Sequence, residues 1–222
     1  MKVVTYATHS EGSFEELIHN KFGVEVVVLG MGTTWKGFMD KIHGVLGYLQ
    51  TIPDDELVVF VDGFDAYILK PLDGLEDTFQ SMDCDILLST VNNNYFFKRL
   101  FGDCKNGQGS NSGLYMGRCF HLKNFLYSVS KQTSSDDQRN FNSSCKYFPR
   151  LKVDTMNVIF KNVMSNKKET LYKSDAYFGQ TPGVLTFKRY FRAIKEYSPF
   201  LIPEIILLVL ILYFLYLHFT GR

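Results

Sequence analysis

The sequence predicts an α/β protein: a doubly wound, mostly parallel sheet, followed by a C-terminal transmembrane helix. Three observations carry that expectation. Strand-like and helix-like patterns alternate through the first 90 residues, an order that implies parallel strands joined by right-handed crossovers. Leu57-Val58-Val59-Phe60-Val61 is an unbroken apolar run, as expected of a strand covered on both faces. From residue 205 to 217 no charge occurs, and no polar face survives at helical spacing.

The elements follow in order. Residues 3–6 read as a strand. Ser13-Phe14-Glu15-Glu16 has the form of a capping box, with Phe14, Leu17, Ile18 and Phe22 on one helical face. Residues 24–29 form the second strand. A helix follows over 36–49, with Phe38, Ile42, Val45, Leu46 and Leu49 at helical spacing. Residues 57–61 are the third strand, 75–80 a short helical piece and 85–90 the fourth strand. Beyond this the pattern loosens. Residues 92–109 are polar and Gly-rich and read as a long loop. A short strand is expected at 114–117, a helix on Leu122, Phe125, Leu126 and Val129, and another over 136–145. Short strands are expected at 153–154 and 158–160, while 162–182 is polar and poorly patterned.

Charge excludes some functions. There are 24 Lys and Arg against 23 Asp and Glu, a net charge of +1. No basic cluster with interleaved aromatics suggests nucleic acid. The chemistry is expected where the third strand runs into Asp62-Gly63-Phe64-Asp65. Ligands gather at the C-terminal edge of open α/β sheets, and two acids around a turn can hold a hard divalent cation that bridges a diphosphate. The same residues suit a plain polar exit from a strand, so on these residues alone both readings stand. Other nucleotide templates fail. Gly30-Met31-Gly32 begins like a dinucleotide fingerprint, but Trp35 occupies the third glycine position and the motif follows the second strand. No Gly-Lys-Ser/Thr occurs. An aspartyl-phosphate phosphatase would place its two acids one residue apart after the first strand.

Six blocks then point one way: Thr5-Tyr6-Ala7-Thr8-His9-Ser10-Glu11-Gly12, Leu29-Gly30-Met31-Gly32-Thr33-Thr34-Trp35, Phe60-Val61-Asp62-Gly63-Phe64-Asp65, Ser110-Asn111-Ser112-Gly113-Leu114-Tyr115-Met116-Gly117-Arg118, Ser135-Asp136-Asp137-Gln138 and Leu151-Lys152-Val153-Asp154. In residues and order they resemble the N-terminal glycosyltransferase domain of procollagen lysyl hydroxylases and, more distantly, procollagen galactosyltransferases. The resemblance spans residues 2–163. It implies a GT-A-like fold that transfers glucose or galactose from a UDP-sugar to a protein acceptor, of the hydroxylysine type in a collagen-like chain, with retention of anomeric configuration and with Mn²⁺ or Mg²⁺. It implies Asp62 and Asp65 as metal ligands. Phe64 stands where the family stacks a tyrosine on uracil, Thr5 and Trp35 flank the nucleotide, and Lys41 falls near a nucleotide-contacting lysine. Asp136 and Asp137 would lie beside the sugar and acceptor, with Asn111 shaping that pocket. Each has a bland counterpart: Trp35 as core, 111–113 as a turn, Asp136-Asp137 as a helix start.

The chain departs from the family in its metal shell, and the segment between the tryptophan block and the following helix is also shorter. The family's metal-binding histidine falls at Thr186, in Thr181-Pro182-Gly183-Val184-Leu185-Thr186. An alternative function follows, a degenerate, non-catalytic fold that binds without transfer and is tethered to a membrane. No dioxygenase pattern lies within these residues, so hydroxylation is not expected of them.

Expectations about location complete the reading. The division is a domain over 1–190, a basic and aromatic linker over 191–198 and an anchor over 199–219. The run 205–217 alone would cover ~20 Å as a helix, against a bilayer core of about 30 Å. Extension to 199–219 reaches spanning length at the cost of including Pro203 and Glu204. Lys188, Arg189, Arg192 and Lys195 precede it and Arg222 follows, which places the domain in the cytosol; the family topology would place it in the lumen. Cys84, Cys104, Cys119 and Cys145 contain no C-x-x-C and, with no leader pattern before residue 3, read as reduced thiols. Asn142-Ser143-Ser144 matches a glycosylation sequon.

Overall fold

The structure, a computed structural model, describes residues 1–91, 95–163, 165–182 and 187–220. The chain forms two compact units, Met1–Gly183 and Val184–Arg222.

The first unit is built on a six-stranded sheet in the order β2-β1-β3-β6-β5-β7, where β1 is Lys2–Tyr6, β2 Val26–Leu29, β3 Leu57–Val61, β5 Ile86–Thr90, β6 Ser110–Arg118 and β7 Leu151–Asp154. Every residue of β3 is buried. Val58 and Phe60 join the core on one face, Leu57, Val59 and Val61 that on the other. The first face is covered by α2 (Met39–Leu49), α5 (Cys119–Ser130) and α6 (Asp137–Ser144), the second by α1 (Phe14–Ile18), α3 (Leu75–Ser81) and a smaller sheet. That smaller sheet has the order β4-β9-β8, from Ala66–Ile68, Phe178–Gln180 and Phe160–Asn162.

Strand β6 pairs antiparallel with both β3 and β5, whereas β1–β2, β1–β3 and β5–β7 are parallel. The reason is connectivity. Instead of crossing back over a face of the sheet, the chain leaving β5 returns from the same edge, so β6 runs the other way. This return contains α4 (Tyr95–Phe101), where a long loop was expected; residues 92–94 of the expected loop lie outside the described residues.

The β5–β6 register slips between Leu88↔Tyr115 and Ser89↔Asn111. A bulge of this kind bends a strand and re-aims its side chains. One pair beyond the β3–β6 ladder, Gly113 O accepts the Asp62 N–H at 2.8 Å, which ties β6 to the exit of β3.

Two expectations based on local sequence are corrected. Ser13 precedes α1 but makes no side-chain cap; its hydroxyl donates to Ala66 O at 3.1 Å, clasping β4 instead. Cys104 and Cys145 form a disulfide, with Cα atoms 5.2 Å apart across 41 residues of sequence. The reading as reduced thiols rested on compartment logic, whereas the fold brings the start of the β6 approach beside the end of α6. Cys84 and Cys119 are buried free thiols, and burial pushes Cys84 up to about 11. Closing a loop of this length stabilises by roughly 4 kcal/mol on the chain-entropy account. Cys104→Ser or Cys145→Ser should therefore lower the melting temperature by several degrees, and reductant should have the same effect on the wild type alone.

In the second unit, α7 (Phe187–Thr220) is one continuous helix of 34 residues. It absorbs both the expected linker and the expected anchor. Among the described residues no helix is long and apolar enough to cross a membrane. This overturns the C-terminal transmembrane helix, the single-pass location and the orientation drawn from its flanking charges. The physical reason is that Pro203 and Glu204 bound the charge-free run, which alone spans ~20 Å, short of the roughly 30 Å of a hydrocarbon core.

Candidate active site

The turn after β3 is held from three sides. Phe64 N donates to Asp62 Oδ1 at 3.4 Å, closing the turn on itself. Ser13 N donates to Phe64 O at 2.9 Å from the β1–α1 loop. That loop approaches so closely that a Cβ on Gly12, whose φ is +63°, would lie 2.1 Å from Phe64 O, so only glycine fits both the space and the backbone. On the third side, Thr181 N donates to Asp65 O at 2.9 Å. Asp65 is 6% exposed, pinned between the end of β3 and the start of β4.

Lys41, in the first turn of α2, reaches into this edge. Its Nζ lies 2.7 Å from Asp137 Oδ2 and 3.4 Å from Asp62 Oδ2. Burial pulls the ammonium's pKa down, but the charges of Asp137, Asp62 and Asp65 outweigh it, so the group is held above its ordinary value. The lysine thus joins two carboxylates that are 75 positions apart in sequence.

The two acids of the Asp136-Asp137 pair part company in the fold. Asp136 is the N-cap of α6 and its side chain accepts from Arg139 N at 2.8 Å. Asp137 is the first helical residue, 3% exposed and turned to Lys41. Asn140, one turn on, donates to Ser134 O at 2.8 Å and to Met39 Sδ at 3.2 Å. These contacts fix α6 to the start of α2.

The bulged part of β6 supplies the floor. Asn111 is 5% exposed and its Oδ1 accepts from Gly113 N at 2.5 Å, which leaves its amide NH₂ as the group able to meet a ligand. Tyr115 is fully buried, stacked on Phe60 with ring centres 4.7 Å apart. Burial, and then the charges of Asp137 and Asp62, push its phenol well above its ordinary value.

Of the expected nucleotide contacts, Thr5 and Phe64 adjoin this cluster. Thr5 is fully buried, its Oγ1 without a hydrogen-bond partner among the described residues, and it lies against Gly63, where a Cβ would come within 3.2 Å of it. Phe64 meets the His9 ring at 5.2 Å. Trp35 stands farther out, 6.2 Å from Tyr6 and 6.1 Å from Phe38 between ring centres. Asp62, Asp65, Lys41 and Asp137 are therefore gathered at one edge, with Asn111 beside them on β6. Thr186, the counterpart of the family histidine, lies outside the described residues. Sequence reasoning missed His9, Tyr115 and above all Gln180, whose Nε2 donates to Asp65 Oδ1 at 2.7 Å. Gln180 sits in the poorly patterned stretch before Pro182, where no spacing marks it.

Among the described residues no three His, Cys, Asp or Glu side chains are so placed that they could together hold a metal ion. What the edge offers is two carboxylates from one turn. That all-oxygen donor set fits a hard cation of the Mg²⁺ or Mn²⁺ kind, which takes its remaining ligands from water and phosphate.

The family model described as the PLOD GT domain matches residues 1–180. No curated protein matches. Among solved structures, the galactosyltransferase LgtC in complex with donor and acceptor sugar analogues is 12% identical, over 83% of this chain and 88% of that one, with a TM-score of 0.51. A glycosyltransferase involved in the glycosylation of the major capsid of PBCV-1 is 13% identical, over 81% of this chain and 92% of that one, with a TM-score of 0.54. At these identities the likeness is one of fold, and the fold is GT-A-like.

Proposed function

This chain belongs to the PLOD GT domain family and is a glycosyltransferase, and we propose that it transfers glucose or galactose from a UDP-sugar to a hydroxyl on a protein, of the hydroxylysine type in a collagen-like acceptor. The observation that carries this reading is the Lys41 bridge, which joins the acid suited to a diphosphate-bound cation, Asp62, to the acid suited to the sugar, Asp137. A divalent ion at Asp62 and Asp65 would neutralise the leaving diphosphate when bound. The chain's own groups have separate tasks. Thr5, Trp35 and Phe64 border the nucleotide, and Lys41 sets a fixed positive charge beside the diphosphate. Asp137 lies where positive charge develops on the sugar ring, and the Asn111 amide positions the sugar or acceptor hydroxyl.

A second reading, a non-catalytic binding module, draws on one feature: Lys41 already neutralises both acids while Thr186 stands in the histidine's place. The test separates them. The full chain should release UDP from UDP-glucose or UDP-galactose with Mn²⁺ present and a collagen-like peptide as acceptor. Asp62→Ala and Asp65→Ala should abolish metal-dependent UDP binding in calorimetry without altering far-UV circular dichroism. UDP binding without turnover favours the module, and unchanged metal-dependent affinity in both variants sinks the metal assignment.

A further inference from the structure

Gln180 closes β9, and the β4–β9 ladder pairs it with Ala66, the residue after Asp65. It is 3% exposed. Its Nε2 donates to Asp65 Oδ1 at 2.7 Å, while its Oε1 is enclosed with no hydrogen-bond partner among the described residues. The amide is fitted against Gly113 so closely that a Cβ there would fall 2.3 Å from Nε2 and 2.6 Å from Oε1. Gly113 in turn accepts from Asp62 N, so one cluster connects this amide to both acids of the turn.

An enclosed carbonyl oxygen without a partner costs about 1–3 kcal/mol, and such groups in a native fold need an explanation. The last side-chain torsion of glutamine is soft and nearly two-fold. A half-turn about it exchanges Nε2 and Oε1 and sets a carbonyl oxygen against the Asp65 carboxylate. Two acceptors tolerate that approach only with a cation between them. An amide oxygen is also a hard, neutral donor of the kind that Mg²⁺ and Mn²⁺ accept.

We propose that Gln180 is the third protein ligand of the divalent cation held by Asp62 and Asp65, its amide turning over from donor to Asp65 into oxygen ligand when the ion arrives. The inference rests on the metal-dependent reading above. It deepens that reading by assigning the place of the missing histidine to a residue of β9.

The experiment is Mn²⁺ binding to the full chain with UDP present, followed by the paramagnetic resonance of the free ion and by the Mn²⁺-induced rise in melting temperature. Gln180→Leu should weaken Mn²⁺ binding about 10-fold or more and leave metal-free UDP affinity unchanged. Gln180→Glu, when ionised, cannot donate to Asp65 but supplies an oxygen, so it should bind Mn²⁺ at least as tightly as the wild type and show the larger thermal rise. If the residue only orients Asp65, Gln180→Glu weakens binding as Gln180→Leu does, and the proposal falls. It falls too if both variants match the wild type while Asp62→Ala loses the ion, an outcome that leaves the metal reading standing. A wild type that binds no Mn²⁺ ends both. Should Gln180→Leu fail to fold, the near-isosteric Gln180→Glu decides alone.

Discussion

Replacing Lys41 with methionine is expected to destabilise the domain by about 3–5 kcal/mol, the cost of leaving a buried charge without its partner. Asp137 is 3% exposed and has the ammonium 2.7 Å away; Asp62 shares the same ammonium at 3.4 Å. Removing it leaves two close carboxylates facing each other, with Asp65 nearby. The sign of the pH dependence follows from the raised lysine pKa. Its contribution is fully present below the unfolded value, near 10.5, and is lost only as pH rises through the higher folded value. The wild type should therefore show no loss from this group between pH 6 and pH 9 on the order of that window. Urea melts measure the cost, and millimolar Mn²⁺ should return part of it by replacing the missing positive charge. A loss below about 1 kcal/mol, the worth of an exposed pair, would show that the bridge is solvated rather than buried.

The second large effect is expected on turnover. Asp137→Asn should lower the rate of sugar transfer by roughly 10²–10³-fold, the usual scale for removing one aimed electrostatic group. UDP binding should survive, because the groups proposed for the diphosphate, Asp62, Asp65 and Lys41, come from the β3 exit and α2 rather than from α6. Asp136→Asn should do little, since asparagine caps a helix about as well as aspartate and Asp136 already accepts from Arg139 N. Parallel rate measurements on the two variants check the division of labour. Equal losses in both, or none in Asp137→Asn, would contradict it.

The legible part of this fold was the part written in hydrophobic period. Apart from β4, the elements up to β5 follow from apolar runs and helical faces, and each lies within a few residues of its expected bounds. What escaped was short, polar or non-local. Strands β4 and β9 have three residues each, too few for a period to register, while β8, expected at 158–160, lies at Phe160–Asn162. Strand β6 was expected at 114–117 and runs from Ser110, because Ser110-Asn111-Ser112 carries no apolar signal although all three are buried.

The candidate site shows the same division. Asp62 and Asp65 announce themselves by following a buried strand. The proximity of Lys41, Asp62 and Asp137 was reached through family resemblance; nothing in local spacing links an α2 lysine to an α6 acid. Gln180 illustrates the limit most clearly. Its importance lies in a hydrogen bond to a residue 115 positions away, and it carries no charge or motif. The Cys104–Cys145 bond is likewise a fact of topology, and the reasoning from compartment pointed the wrong way.

The setting of Asn142 changes how the protein can be traced through a cell. It is 2% exposed; its Oδ1 accepts from Ser110 N and Ser110 Oγ at 2.8 Å each, and its Nδ2 donates to Phe101 O at 3.0 Å. An attached glycan would have to displace β6 from α6, so once the domain is folded the side chain is closed to the modification. Asn142 is therefore a poor reporter of where the folded domain resides. Lys131→Asn offers a usable reporter: it completes an acceptor triplet with Gln132 and Thr133 at the exposed end of α5, where a sugar chain meets solvent rather than the core.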